Sequence, residues 1–415
     1  MVARYKRSIN QATTMLQIII KKKLTADALV DFQLFLLQKI KDGERGISRC
    51  KEIAKTLRLE KANDRPTRER SKAIDQEIKK IEDKQEQYKY IIYIWKCFGD
   101  SIPFHFCDKY ALKHLLYDDQ YHVKETAGFI SGKDGLKNEI LFLKEAAKHD
   151  VPAVLCDLTN TLRHGDVCLL GASDPFPIEI KSSPKLSSRG AKQVRSIFEI
   201  NSFFVNDKAE NFRNIGPVLR RELIGREKNH LTVINECIAR SYSEGTSIVS
   251  PEKGIHYGVI TTFREGVLDP VANMYTQMII LNDFKNMMSW HPYIPFTLLL
   301  DPQHVYRFIN GDITILIFLD LQIFKRKFKK AGMHINFLED HHWYAQISET
   351  GDISKGGFRV SRQSFLRLAF EFQSFSWALK QNKKHLRMFL EEIDMPGRTM
   401  EIPKDWLNID DGIPT

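Results

Sequence analysis

The sequence predicts an α/β protein, and three observations carry that reading. The first hundred or so residues keep a helical period, residues 132–207 run helix, three short apolar stretches and helix, and beyond Asn229 helices alternate with strands. At roughly 100–200 residues per domain, 415 residues make two or three domains with ample core. We divide them into a helical N-terminal arm over 1–125, a central core over 126–228 and an α/β C-terminal region over 229–415.

In the arm, Ala26–Leu57 reads as one helix and the charged, Pro66-containing segment 61–70 as a turn. Ile74, Ile78, Ile81, Gln85, Tyr88, Ile92 and Trp95 then recur at spacings of four and three, a coiled-coil-like stripe. Two long helices joined by a short turn predict an antiparallel hairpin, serving as a structural arm or a homo-oligomerisation element; a nucleic-acid clamp is the alternative. In the core, Asp134 is expected to cap a helix from Gly135 with Leu136, Ile140, Leu143 and Ala147 on one face. The stretches Ala153–Leu158, Asp166–Leu170 and Pro177–Lys181, bounded by Asn160, Gly165, Gly171 and Pro175, read as strands. A helix over about 190–204 closes the unit. The C-terminal region is expected to hold a helix over Leu231–Tyr242, strands at His256–Thr262, Gln277–Leu281, Phe296–Leu300 and Ile313–Leu319, and one long helix over Ser361–Glu391.

Composition narrows the function. With 43% hydrophobic and 27% charged residues, the chain is neither disordered nor collagen-like. Its longest apolar run, Ile313–Phe324, is broken by Asp320 and falls short of the roughly 18 residues of a membrane helix. Six scattered cysteines without zinc-like spacing read as reduced thiols, so a cytoplasmic location is expected. A net charge of +10 suits a polyanionic partner and equally suits simple solubility.

The chemistry concentrates in Arg163–Ser183, RHGDVCLLGASDPFPIEIKSS. Asp166 opens one strand, while Glu179 and Lys181, two apart on the next, point to one face, with Ile178 and Ile180 on the opposite, buried one. A turn around Gly171–Pro175 would set Asp166 beside Glu179. Two carboxylates at a sheet edge form a hard-oxygen pocket suited to Mg²⁺ or Mn²⁺, and the Lys181 ammonium can orient a water and offset charge on a phosphate. The alternative is a salt-bridged surface hairpin. Asp283 and Lys285, with Asp269 upstream, form a rival triplet, although Asp269 lies in a turn and Asp283 follows its strand.

Gly165-Asp166 followed by Ile178-Glu179-Ile180-Lys181, with the Glu139 helix before and the Gln193 helix after, resembles the PD-(D/E)xK nuclease superfamily over roughly 132–207. The resemblance implies a mixed-sheet, restriction-endonuclease-like core, metal-binding acids at Asp166 and Glu179, a catalytic lysine at Lys181, and an assisting acid at Glu139. Gln193 would match the Gln of a Gln-x-x-x-Tyr pair, but Ile197 stands where the Tyr would be. The implied activity is an Mg²⁺-dependent endonuclease, DNA more than RNA, in bacterial defence against phage or foreign DNA. Lys185, Arg189, Lys192 and Arg195 would grip the nucleic-acid backbone. A catalytically inactive nucleic-acid-binding protein of the same fold is the alternative. His164 beside Asp166 could touch phosphate or water, the basic run Lys325–Lys330 is expected on a helix after an apolar strand, and the His341-His342 pair is a weak metal pattern.

Overall fold

Helices and antiparallel sheets build the chain in a computed structural model that describes residues 2–21, 26–63, 66–118, 122–125, 128–180, 188–213, 218–220, 225–340 and 343–393. Chain contacts divide it into two units, residues 1–221 with 283–312, and residues 222–282 with 313–415.

The first unit opens with α1 (Lys6–Lys21), α2 (Ala26–Asn63) and α3 (Arg68–Phe106). Helices α2 and α3 run antiparallel, because Gly43 meets Ile92, Gly46 meets Tyr88, and Arg58 and Lys61 pair with Glu82 and Asp75. The expected stripe is therefore the seam of an intrachain hairpin. A Cβ on Gly46 would lie 2.6 Å from the Tyr88 ring, so two glycines on α2 let the helices approach closely. The expected turn is shorter than 61–70, since α2 continues to Asn63 and Thr67 caps α3 by accepting the amide of Arg70.

After α4 (Lys109–Leu112) come α5 (Leu136–Lys148), β1 (Ala153–Leu155), β2 (Val167–Leu169), β3 (Phe176–Ile178) and α6 (Ser188–Asn206), then a two-residue ribbon of β4 (Lys208–Ala209) and β5 (Val218–Leu219). The order β1-β2-β3 is an antiparallel meander, with Leu155 opposite Val167 and Val167 opposite Ile178. Helix, three strands and helix match the expected sequence of elements. Four details differ. Asp134 makes no cap, for the N-cap is Gly135 without a side-chain bond. Cys156–Leu158 is a 3-10 turn rather than a continuation of β1, and β3 stops at Ile178. Ile178 and Ile180 are half-buried, not buried.

The hairpin is joined to this meander through buried polar groups. The Gln33 amide donates to Ala153 O at 2.9 Å and accepts from Leu155 N at 2.9 Å, standing in for a strand along the β1 edge. Asp100 on α3 accepts from the backbone and side chains of Asn160 and Thr161 at 2.6–2.9 Å. At Gly99 a Cβ would fall 1.9 Å from Leu158 O, so only glycine lets the 158–161 loop lie on α3. Glu44 on α2 accepts the amides of Ile130 and Ser131 at 2.7 and 2.8 Å and so anchors the entry to α5. Two short helices, Phe296–Leu299 and Pro302–Asn310, complete the unit.

The second unit contains α7 (Leu231–Glu244) and a four-stranded sheet ordered β6-β7-β9-β8 from β6 (Thr246–Glu252), β7 (Ile255–Ile260), β8 (Gln277–Ile280) and β9 (Thr314–Leu319). Its pairings are antiparallel. Val271, Leu316 and Phe318 pack at the core of one face. A second sheet orders β10 (His334–Phe337), β11 (Trp343–Ser348) and β12 (Gly357–Ser361). Lys325–Lys330 does lie on a helix, Leu321–Lys330, capped by Asp320. Phe296–Leu300, expected as a strand, is a single helical turn following Pro295. The expected long helix divides into Arg362–Phe370 and Phe375–Ile393, because Phe372 takes a left-handed φ of 50° and Ser374 caps the second helix through Trp377 N. His341 and His342 lie outside the described residues.

No helix among the described residues is long and apolar enough to cross a membrane. All six cysteines are buried free thiols.

Candidate active site

Asp166 lies at one end of the meander, just before β2 rather than opening it: the β2–β3 register ends at the Val167–Ile178 pair, and the Asp166 amide donates to the same Ile178 O at 2.8 Å. On the other side of β2, Cys156 N donates to Asp166 O at 2.9 Å, so Asp157 follows next to it. Gly165 makes this approach possible: its φ is +82°, and a Cβ there would lie 2.8 Å from Ile178 O. Beyond Ile178 the Asp166 side chain replaces the backbone ladder, its Oδ2 accepting the amide of Ile180 at 2.9 Å.

The α5 helix supplies a third acid. Glu139 stands in its first turn, where the positive end of the helix dipole favours an anion, and only 2% of it is exposed. Three carboxylates meet on one ammonium: Lys133 Nζ lies 2.9 Å from Glu139 Oε1, 2.9 Å from Asp157 Oδ2 and 3.1 Å from Asp166 Oδ1. Burial alone would lower the Lys133 pKa, but Asp157, Glu139 and Asp166 outweigh it and raise it above the usual lysine range. Burial pushes the Glu139 carboxyl up, against the pull of Lys133 and with the repulsion of Asp166 and Asp157. Glu139 Oε2 is buried without a hydrogen-bond partner. From α3, burial pulls the Lys96 ammonium down, with Asp157 as the strongest opposing charge.

Asp166 and Glu139 are thus brought together on Lys133, whereas Glu179 lies half-buried just past the end of β3. Lys181 and Lys185 lie outside the described residues. Gln193 is half-buried on α6, and Arg189 belongs to the first turn of that helix. Lys192 and Arg195 are exposed on α6 and line one groove with Ser196, Asn211 and Arg213; Arg195 also pairs with Glu199 at 3.1 Å. His164 links α6 to the acidic end. Its Nε2 donates to Tyr117 O at 2.9 Å, since a carbonyl can only accept, leaving Nδ1 to accept from Ser196 Oγ at 3.3 Å and Lys124 Nζ at 3.4 Å. Burial, aided by Lys124, drives its pKa down to about 3, so the ring is a neutral structural tie rather than an acid or base near neutral pH. The rival Lys285 is buried on the helix Leu281–Asn286 and donates to Phe308 O and, at 3.1 Å, to Ile309 O, which gives it a structural task.

Sequence reasoning missed Lys133, Asp157 and Lys96. Asp157 fell inside an expected strand, and Lys133 sits in a loop with no period. The only available signal was density of charge: Lys133 precedes the Glu139 helix by one short turn, and Asp157 ends the first apolar run.

Carboxylates from α5, the β1 end and β2, gathered on one cation, form an oxygen-only donor set of the kind that suits Mg²⁺ or Mn²⁺, and the orphaned Glu139 Oε2 leaves capacity for another ligand bond. Among the described residues no three acidic, His or Cys side chains stand as a ready-made ligand group. No family model matches the chain, and no curated protein or solved structure is significantly similar to it.

Proposed function

We propose that the protein is a metal-dependent nuclease that hydrolyses phosphodiester bonds of nucleic acid, DNA in preference to RNA. The observation that carries this reading is the convergence of Glu139, Asp157 and Asp166 on one cation at the end of the meander. Gathering that many carboxylates is costly unless a cation is held there. When bound, Mg²⁺ or Mn²⁺ would polarise a phosphoryl oxygen and make a bound water acidic. The chain's own residues divide the remaining work. Asp166, Glu179 and Glu139 hold the metal, Lys181 orients the attacking water, and Gln193 assists from the following helix. Lys192 and Arg195, with Lys185 and Arg189 before them, grip the phosphate backbone, which a net charge of +10 supports. A cytoplasmic defence nuclease is the biological setting this reading fits best.

A non-catalytic nucleic-acid binder of the same fold is the second reading. Two observations favour it: Lys133 occupies the centre of the acids, and Ile197 is buried where a pairing Tyr would stand. Incubating plasmid, linear duplex, single-stranded DNA and RNA with Mg²⁺, Mn²⁺ or EDTA separates the two. Metal-dependent cutting supports the nuclease; tight binding without cutting under every metal condition supports the binder.

A further inference from the structure

Asp157 holds a position in this cluster that the nuclease resemblance does not assign. It comes from the 3-10 turn after β1, yet its Oδ2 reaches the same Lys133 ammonium as Glu139 and Asp166, at 2.9 Å. The three carboxylates and one ammonium leave a net charge of about −2 at the sheet end if all are ionised. Lys133 is a cation on a flexible stem, 31% exposed, whereas Glu139 is fixed on a helix at 2% exposure. The partner with access to solvent is the lysine. Glu139 Oε2, on the carboxylate whose Oε1 meets Lys133, is buried with no hydrogen-bond partner, so this side chain keeps an acceptor that Lys133 does not satisfy.

We propose that Asp157 is a metal-binding residue of this site and that the Lys133 ammonium is the resident counter-ion which a divalent cation displaces. This rests on the reading of the site as a metal-dependent nuclease. A divalent ion brings twice the charge of the ammonium to the same oxygens and can use the free Glu139 oxygen. Lys133, once displaced, remains tethered at the rim, where a phosphate substrate offers it a new partner. The bare site would therefore stay held together without metal, and metal would bind against an internal competitor.

The test is calorimetric titration of Mn²⁺ into the full chain without nucleic acid, for wild type, Asp157→Asn, Lys133→Met and Lys133→Arg, with folding of each verified by circular dichroism. Asp157→Asn should bind Mn²⁺ about tenfold or more weakly, because affinity follows ligand charge. Removing the competing cation in Lys133→Met should tighten binding by about tenfold or more, whereas Lys133→Arg should stay near wild type. If Lys133→Met does not fold, Lys133→Gln makes the same comparison. Asp157→Asn binding as well as wild type, while Asp166→Asn loses the metal, would show that Asp157 merely anchors Lys133 and would overturn the assignment. Weaker binding by Lys133→Met would make the lysine a support rather than a competitor, which also overturns it. In both cases the nuclease reading stands. If no variant, Lys133→Met included, binds Mn²⁺, the metal-dependent reading falls with the proposal.

Discussion

Asp166 accepts the amide of Ile180 through Oδ2 at 2.9 Å, carrying the β2–β3 pairing past the last strand residue, Ile178. The other oxygen, Oδ1, faces Lys133 at 3.1 Å. One carboxylate thereby fixes the backbone that presents Glu179 and contributes charge to the acidic cluster.

Those two tasks can be separated. Asp166→Asn keeps an oxygen that can accept the Ile180 amide but loses the charge, so we expect urea-unfolding stability within about 1 kcal/mol of wild type. Asp166→Ala strands that amide and should cost about 1–3 kcal/mol more. Equal stability of the two variants would refute the backbone role.

His164 ties α6 to the loop before Asp166 as a buried neutral ring with a pKa pushed down to about 3, against an ordinary 6.5. The folded state therefore binds fewer protons than the unfolded chain between those values. Its contribution is intact above pH 6.5 and is lost as pH falls toward 3, at up to about 1.4 kcal/mol per unit. Hydrogen exchange of α6 should accelerate over that window, and His164→Gln should flatten the dependence. An imidazole that titrates near 6.5 by NMR contradicts the account.

In the second unit, Glu252 accepts from His230 Nε2 at 2.9 Å, from the Ser374 hydroxyl, and from Ser376 N and Oγ at 2.9 and 2.7 Å. Burial alone would raise its pKa, but these donors hold it down at about 2, below an ordinary 4.5. A depressed carboxyl stabilises above the unfolded value and ceases to do so as pH falls from 4.5 to 2. Glu252→Gln should cost about 2–3 kcal/mol at neutral pH and nothing near pH 2. Protection of the Ser376 amide against exchange, followed across that range, reads the effect; a pH-independent loss would assign it to packing.

Lys192 and Arg195 project from α6 into one groove. If they contact phosphates, the double alanine variant should reduce the slope of log K against log salt by about 1.4–1.8, the sum of two contacts on single- or double-stranded nucleic acid. Fluorescence polarisation at several salt concentrations measures it. An unchanged slope removes this face from the interface.

Much of the fold was legible because it depends on period and spacing. The α3 stripe and the meander follow from counting along one chain, since antiparallel pairs keep a constant residue sum. Apolar runs deceived where local rules conflicted. Phe296–Leu300 is as apolar as a strand but closes a helical turn after Pro295, and the run through Phe370–Phe375 breaks because Phe372 turns left-handed. Lys133 and Asp157 were illegible for a different reason. A loop and a 3-10 turn have no repeating face, so only the folded chain reveals that both reach Asp166.

The most direct test is cleavage of plasmid and single-stranded DNA in Mg²⁺ or Mn²⁺, comparing wild type, Asp166→Asn and Lys181→Ala after each is shown to fold. The account predicts cutting by wild type that EDTA abolishes and that falls by about a hundredfold or more in both variants. Equal, metal-independent cutting by all three proteins would place the chemistry elsewhere in the chain and contradict it.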